Sequence, residues 1–394
     1  MVSGPQYNYY IIMNVSTYLP AKPRYDILDG LRGVAAFLVL FYHCCEITSG
    51  ADPVHMNINH GYLAVDFFFI LSGYVISYAY DDRWTKMSLW NFCKRRLVRL
   101  HPLIIFSTLM GACLLYLGAG DFFPGISSAP AWKVLLTIIA GCLMIPLGKS
   151  FDVRGWSEVS PLNGNAWSLY YEYLANILYA LFIRRFGKFA LRLLVVLSAF
   201  LTLNLTLNLD VFGFWSERTA QAYTVIGGWE LDQWLIGITR LFYPFFCGLL
   251  LARIGRKIKI RRGGFLWASL ILLVALAFPR VGGVDNMLLN GIYESVCILF
   301  VFPVVVLMGA GSTVSGQTAA ACKWLGEISY PLYVTHYAIV YGVFGAWMSA
   351  HRNLDIDQII LANAGICLFS VFVAWASYRL VDVPLRDWLR RKCF

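Results

Sequence analysis

Residues 26–46, DILDGLRGVAAFLVLFYHCCE, form a hydrophobic segment with Arg32 near its start and His43 near its end. In an α-helix, these two residues are about three turns apart and therefore share a face. They would lie roughly 16 Å apart along the axis, at about 1.5 Å per residue. Ionisable groups inside an apolar span are costly, so this pair indicates a functional site. The alternative is a snorkelling arginine and a hydrogen-bonded histidine that serve only helix packing.

The composition of the chain is that of a membrane protein. Of its 394 residues, 59% are hydrophobic and 14% are charged, whereas soluble domains carry about 25% charged residues. The sequence therefore predicts an all-α polytopic membrane protein. Its apolar segments are residues 31–46, 62–80, 102–119, 132–147, 167–183, 193–212, 234–252, 264–278, 291–309, 324–348 and 359–380.

Basic clusters between these segments predict their orientation. They fall within residues 22–24, 83–99, 184–192, 253–262, 323 and 379–392, which is the pattern of cytoplasmic loops under the positive-inside rule. Both termini are then cytoplasmic, and the net charge of +10 does not indicate a nucleic-acid partner.

The order of these clusters means that segment 102–119 runs outward and segment 167–183 runs inward. Segment 132–147, which lies between them, therefore cannot cross the membrane once. It is short and ends in Pro146 and Gly148, so we predict a re-entrant or interfacial element beside about ten full crossings. The predicted organisation is a cytoplasmic tail (1–25), a membrane domain (26–384) and a basic cytoplasmic tail (385–394).

Two carboxylates are expected at the depth of His43. Asp66 lies about one turn inside the outer end of the second apolar segment, and Glu172 enters the fifth from outside. A histidine beside carboxylates suits general-base activation of a hydroxyl. We predict that His43 is the catalytic base and that Asp66 or Glu172 orients it or stabilises its cationic form. For Asp66, the alternative is a polar tie between helices.

Three arginines are expected near the inner face. Arg96 and Arg99 are three residues apart and thus adjacent on a helical face, at the level of Arg32. Guanidinium groups bind phosphates bidentately, so this cationic mouth suits a nucleotide. The Arg32–His43 separation resembles the reach of a pantetheine arm from nucleotide to thioester. Ordinary positive-inside charge is the alternative for Arg96 and Arg99.

Two further residues are weaker candidates for the substrate cavity. Arg240 lies inside its apolar segment and also suits a structural ion pair. His336 lies deep in its own segment, where a satisfied packing histidine is the favoured interpretation. No cysteine–histidine cluster has the spacing of a metal site, so we expect no metal.

Short sequence elements along nearly the whole chain resemble, in the same order, those of the acyltransferase-3 family of integral-membrane O-acyltransferases. The closing VDVPLRDW resembles a Glu-x-Pro segment, with Asp382 in place of the glutamate. The resemblance adds Ser72, Trp167 and Ser168 to the expected substrate cavity. The other matching elements are Arg-x10-His at Arg32 and His43, VDFFFILSGYVIS with Asp66, Ser72 and Gly73, Arg-x-x-Arg at Arg96 and Arg99, AWSLYYEY with Trp167, Ser168 and Glu172, and ISYPLYVTH ending in His336.

The resemblance implies an acyl-CoA donor, usually acetyl-CoA, taken from the cytoplasm. It implies as acceptor a hydroxyl of a carbohydrate, possibly lipid-linked, as in an exopolysaccharide or lipopolysaccharide, modified at or beyond the outer leaflet of a bacterial plasma membrane. The chain resembles the family members that have no appended extracytoplasmic hydrolase-like domain. The expected partners are therefore acyl-CoA, the carbohydrate acceptor and membrane lipids, and no nucleic acid. The main alternative is a transporter or flippase for a lipid-linked glycan, which would often show inverted repeats. A structural scaffold explains the arginine–histidine geometry poorly.

Overall fold

The computed structural model describes residues 22–50, 56, 58–117, 122–214, 222–280 and 287–394. Within these ranges the chain forms fifteen α-helices and no β-strand; one isolated bridge joins Glu158 and Glu230. The all-α prediction is thereby confirmed. The helices are α1 Asp26–Thr48, α2 Ala64–Tyr80, α3 Leu89–Leu117, α4 Pro124–Ser128, α5 Ala131–Leu143, α6 Ala166–Leu181, α7 Lys188–Thr206, α8 Trp234–Ile254, α9 Gly264–Ala277, α10 Met287–Val296, α11 Phe302–Gly311, α12 Gly316–Ile339, α13 Ala346–Ala350, α14 Ile356–Ser377 and α15 Val383–Cys393.

Seven helical segments in the described ranges are long and apolar enough to cross a membrane. Helices α5 and α9 are apolar but shorter, and α6 has 16 residues, fewer than the roughly 20 expected of a span. Helix α12 has the length, but Lys323 and Glu327 lie in its first half. The predicted count of about ten crossings is therefore not confirmed.

The basic connections meet at one end of the bundle, which we call the basic face. Lys22 donates a hydrogen bond of 2.7 Å to Asp82, and Arg253, at the end of α8, pairs with Asp81 at 2.8 Å. Arg184, after α6, lies over the ring of Trp84 at 4.1 Å. Clusters from separate connections thus share one end, as the alternation of charge predicts. The opposite end is called the far face.

Helix α5 descends from the far face beside α3 without reaching the basic face. It has 13 residues, about 20 Å at 1.5 Å per residue, and a Cβ at Gly141 would lie 2.8 Å from the side chain of Thr108, which is about two thirds of the way along α3 from its start at Leu89. The chain then returns, and Val159 accepts a hydrogen bond from Leu147 and donates one to Trp229. This is the geometry expected of a re-entrant segment.

Close backbone packing brings α2 against α8. A Cβ at Gly73 would lie 2.2 Å from the Phe245 carbonyl oxygen, and one at Gly248 would lie 2.1 Å from the Ile70 carbonyl oxygen. Neither position has room for a side chain, so glycine lets the two backbones touch, as is common between membrane helices.

Three segments adopt a π-helical winding, which inserts an extra residue into a helix and often marks a functional site. They are Cys297–Val301, Val340–Gly345 and Tyr378–Asp382. The third leads from α14 into α15, so the C-terminal tail predicted at 385–394 is helical and continues the last span. Of the N-terminal tail predicted at 1–25, residues 1–21 lie outside the described residues.

Candidate active site

Three cavities lie in line from the basic face toward the far face. The basic mouth, of about 370 Å³, is lined by Arg32, Arg99 and the C-terminal helix. A narrow middle cavity of about 110 Å³ shares Arg32 and Arg99 with the mouth. The far cavity, of about 520 Å³, contains His43 and shares Val65 and Tyr333 with the middle cavity. Because neighbouring cavities share lining residues, they adjoin one another in a line between α1, α2, α3, α6 and α12.

His43 presents one ring nitrogen to the protein and the other to the far cavity. Its Nδ1 lies 2.9 Å from Glu46 Oε2 and 2.7 Å from the Tyr341 hydroxyl. The Tyr341 hydroxyl also donates to Glu46, so Glu46 accepts from both groups when Nδ1 carries the proton. In the described part of the chain, Nε2 has no hydrogen-bond partner. A neutral His43 in this tautomer therefore offers the Nε2 lone pair to the cavity, as a base requires.

The carboxylate that contacts His43 is one that sequence reasoning did not select. Glu46 lies three residues after His43 in α1, on the same helical face; this spacing was the available signal. Tyr341 lies four residues after Tyr337 and therefore on the same helical face, at the start of the π-helical segment Val340–Gly345. The Tyr337 and Tyr341 rings consequently lie 4.3 Å apart, and both line the far cavity.

His336 supports the His43 ring from below. The two ring centroids are 5.4 Å apart with an interplanar angle of 30°. Its Nδ1 donates to the Leu332 carbonyl at 2.7 Å, and its Nε2 accepts from Asn165 Nδ2 at 3.0 Å. Both nitrogens are satisfied in the neutral form, so His336 has the environment of a packing histidine.

Asp66 does not contact His43, which corrects the predicted role. Its carboxylate pairs with Arg240 at 2.7 Å, and neither side chain is exposed to solvent. Arg240 also donates to the Tyr62 carbonyl at 2.7 Å and to the Gly227 carbonyl at 3.2 Å. The close α2–α8 packing places the two charges side by side, and burial makes their pairing necessary. Asp66 is the polar tie between helices that was the alternative interpretation.

Glu172 also lies apart from His43. The prediction that Glu172 shares a layer with His43 and Asp66 is therefore wrong. It pairs with Arg96 at 2.7 Å and lines the middle cavity, on the side of Arg32 and Arg99. The reason is the length of α3, which begins at Leu89 and continues through Pro102. Arg96 is therefore part of a helix inside the bundle and reaches the middle of α6.

The two remaining arginines differ in how their charges are satisfied. Arg32 donates to Ser329 Oγ at 2.8 Å and to the Gly326 carbonyl at 2.9 Å, and it pairs with Asp29 at 3.2 Å. Arg99 forms no hydrogen bond or ion pair within the described ranges and is exposed to the mouth and the middle cavity. It is the cation of the predicted set that is available to a ligand.

The residues added by the family resemblance line the path at successive depths. Ser72 lines the middle cavity, and its Oγ has no hydrogen-bond partner in the described part of the chain. Ser168 donates to the Asn165 carbonyl at 3.1 Å and accepts from the Tyr333 hydroxyl at 2.6 Å, at the junction of the middle and far cavities. Trp167 lines the far cavity and covers the Arg240 guanidinium at 5.1 Å.

The loop before α6 forms one wall of the far cavity. Glu158 accepts a hydrogen bond of 2.8 Å from the Tyr337 hydroxyl and pairs with Arg154. Burial raises the pKa of the Glu158 carboxyl, and the positive charge of Arg154 opposes this rise. Gly164 leaves room for this cluster, because a Cβ there would lie 2.3 Å from Glu158 Oε2. Trp156 adds an aromatic face above Tyr341 at 5.3 Å.

A polytopic helical bundle with a cationic mouth, a narrow passage and a histidine in a far cavity has the architecture of a membrane-embedded transferase. A family model described as "Acyltransferase domain" matches residues 25–379. The chain belongs to this acyltransferase-3 family and is a membrane acyltransferase, which confirms the family predicted from the sequence.

Several curated proteins are similar to the chain. "Protein 2 in picA locus" of Rhizobium radiobacter is 34% identical over 165 residues, which are 40% of this chain and 81% of that protein. "O-acetyltransferase OatA" of Staphylococcus aureus is 25% identical over 376 residues, 93% of this chain but only 58% of that protein. "Acyltransferase MdmB" of Streptomyces mycarofaciens is 25% identical over 337 residues, covering 82% of this chain and 80% of that protein. No solved structure matches.

Proposed function

We propose that this enzyme transfers an acyl group, with acetyl as the expected case, from acyl-CoA at the basic face to a carbohydrate hydroxyl in the far cavity. The observation that carries the proposal is the line of cavities joining Arg99 to His43. Arg32 and His43 are eleven residues apart on α1, roughly 16 Å by helical rise, which suits an extended pantetheine arm. The middle cavity would hold that arm.

In this proposal the donor enters through the basic mouth. Arg99, which has no protein partner in the described ranges, binds a phosphate of the nucleotide, while Arg96 is neutralised by Glu172. Arg32, anchored by Ser329 and Asp29, shapes the entrance to the middle cavity. The thioester then reaches the junction at Tyr333, next to the far cavity.

His43 acts as the general base for the acceptor. Its Nε2 takes the proton of the attacking hydroxyl while the hydroxyl oxygen forms a bond to the thioester carbonyl carbon. The carbon–sulfur bond breaks, and the proton on His43 passes to the leaving CoA thiolate. Glu46 stabilises the imidazolium formed between these steps, because its carboxylate already accepts a hydrogen bond from Nδ1.

The far cavity fits a neutral hydroxyl-bearing acceptor. Its size of about 520 Å³ lies within the range of small-molecule sites, and Tyr42, Trp156 and Trp229 offer aromatic surfaces. Among the described residues that line it, the cation is Arg240, which is already paired with Asp66, and the lining carboxylate Glu158 is paired with Arg154. A sugar ring without an anionic group is therefore the acceptor we propose. The printed name of OatA, an O-acetyltransferase, supports the reaction class.

We further propose that the enzyme resides in a bacterial plasma membrane, with the basic face in the cytoplasm. The positive-inside rule supports this orientation, and cytoplasmic acyl-CoA would then meet the basic mouth directly. No step of the proposed reaction requires a metal ion.

The test uses inside-out membrane vesicles containing this chain, with acetyl-CoA labelled in the acetyl group and a glycan fraction from the same host. We expect labelled glycan from the wild type and a loss of at least 100-fold in His43→Ala. The matched control is His351→Ala, because His351 is exposed and lines none of the three cavities. Transfer that persists in His43→Ala would remove His43 as base. Failure with acetyl-CoA and longer acyl-CoAs alike would refute the donor.

A further inference from the structure

We propose that the C-terminal helix α15 closes the basic mouth and supplies a phosphate-binding subsite, through Arg386 and Arg390, for the nucleotide of the donor. The inference rests on the proposed acyl-CoA function and assigns a role to a segment beyond the matched family residues 25–379. The sequence suggested there a basic tail after the segment VDVPLRDW, without a role for either.

The first support is the position of α15. The π-helical segment Tyr378–Asp382 leads from α14 into α15, and Asp382, Arg386 and Arg390 line the mouth together with Arg99. These three residues are four apart, so they form one stripe along the helix. The Arg95 guanidinium, from α3, lies over the Phe394 ring at 4.6 Å, which ties the end of α15 to the opposite wall.

The second support is the charge of the mouth. Its described lining contains nine basic and four acidic side chains. The basic side chains therefore outnumber the carboxylates with which they could pair inside the mouth. A phosphate monoester carries about −1.5 to −2 charges near neutral pH, and a CoA nucleotide adds a diphosphate to a 3′-phosphate. A ligand with several phosphates therefore suits this lining, and arginine is the residue best shaped to hold them.

The third support is a buried acceptor without a partner. The Asp382 side chain is 3% exposed and pairs through Oδ2 with Arg386 at 2.8 Å, whereas its Oδ1 has no hydrogen-bond partner among the residues that the structure describes. Leaving a buried carboxylate oxygen unsatisfied is costly. A ribose hydroxyl or a base amino group would satisfy it, while Arg386 and Arg390 hold phosphate beside it. A lone lipid phosphate offers the arginines the same chemistry but gives Oδ1 nothing comparable.

The test measures binding of CoA and of 3′-dephospho-CoA to the purified full chain in nanodiscs of neutral phosphatidylcholine. The test variant is Arg386→Gln with Arg390→Gln. The control is Arg391→Gln with Lys392→Gln, which removes the same charge from the same helix at positions outside the mouth. Charge-assisted hydrogen bonds contribute about 1.5–3 kcal/mol, so we expect CoA affinity to fall at least tenfold in the test variant and less than twofold in the control.

CoA and 3′-dephospho-CoA share the diphosphate, so a ratio of the two affinities that falls toward one in the test variant assigns the arginines to the 3′-phosphate, whereas an equal loss of both affinities assigns them to the diphosphate. Arg390→Gln alone, at a side chain 49% exposed, gives a mildly perturbed version whose thermal stability should equal that of the wild type. If the wild type binds CoA and the double variant binds it equally well, this inference is overturned while the proposed function stands. The same measurement is repeated in nanodiscs that contain phosphatidylglycerol. If the difference in CoA affinity between the test variant and the control disappears there, the arginines bind a lipid headgroup instead. If the wild type binds no CoA at all, the proposed donor fails as well.

Discussion

Replacing Asp66 by asparagine distinguishes a structural carboxylate from a catalytic one. In the wild type the Asp66–Arg240 pair is completely buried. Asparagine has nearly the same shape but no charge, so Arg240 would remain as an uncompensated buried cation. Removing one partner of a buried pair costs about 3–5 kcal/mol. Because Arg240 keeps its bonds to the Tyr62 and Gly227 carbonyls, we expect the lower end of this range, about 3 kcal/mol.

A loss of about 3 kcal/mol changes the folding equilibrium roughly 100-fold. The measurement is reversible unfolding of the purified protein in mixed micelles, followed by helix content, together with acyl transfer per folded molecule. We expect Asp66→Asn to lose stability but to retain most of its turnover, since Asp66 does not contact His43. Asp66→Asn combined with Arg240→Met should recover much of the stability, because an apolar replacement removes both charges.

The reasoning would be refuted by the opposite pattern. An Asp66→Asn variant with wild-type stability but transfer reduced 100-fold would return Asp66 to the chemistry, as the sequence had suggested. A double variant no more stable than the single one would show that the ion pair is not what fixes α2 against α8.

Three further predictions concern the path of the donor and the acceptor. Glu46→Gln should lower kcat about 10- to 100-fold without changing stability, because an amide stabilises the His43 imidazolium less well; an unchanged kcat would leave Glu46 without a role in orienting the base. Arg99→Gln should raise the KM for acyl-CoA about tenfold, whereas Arg256→Gln, outside the three cavities, should not; equal effects would indicate general surface charge. Gly164→Ala should raise the acceptor KM but not the donor KM, because its Cβ displaces the Glu158–Tyr337 cluster; a change in the donor KM alone would contradict this.

The sequence predicts best what depends on one helix. Arg32 and His43 lie on the path because their spacing within α1 determines their shared face, and hydropathy identified helices at all the predicted apolar segments. Which charged side chains pair between two helices was harder to predict from the sequence. Glu172 was assigned to the outer layer by its distance from a segment end, but the true start of α3, at Leu89 rather than near residue 102, moved Arg96 inside the bundle.

Contacts between side chains of different helices are the part of the site that could not be predicted from the sequence. The hydrogen bond from Tyr341 to Glu46 joins the segment after α12 to α1, and neither composition nor spacing reveals which residues of two separate helices face each other. Asp66 and Arg240 each appeared as an isolated intramembrane charge, since their pairing depends on the glycine contacts between α2 and α8. A sequence supplies the position of a charge along its helix, whereas rotation and packing decide which charge it faces.

The sizes of the three cavities bear on the choice between transfer and transport. The mouth and the far cavity, at about 370 and 520 Å³, have the volumes of ligand sites. The middle cavity, at about 110 Å³, is the smallest of the three and lies below the range of about 300–1,000 Å³ that is usual for ligand sites. A slender arm suits a cavity of this size better than a sugar ring or a nucleotide does. A flippase would need the whole glycan to pass Tyr333 and Arg99, and this bundle would have to open to permit it. An acyltransferase needs only the thioester to arrive. The constriction therefore suits an enzyme that keeps its two substrates at opposite faces and lets the acyl group alone cross.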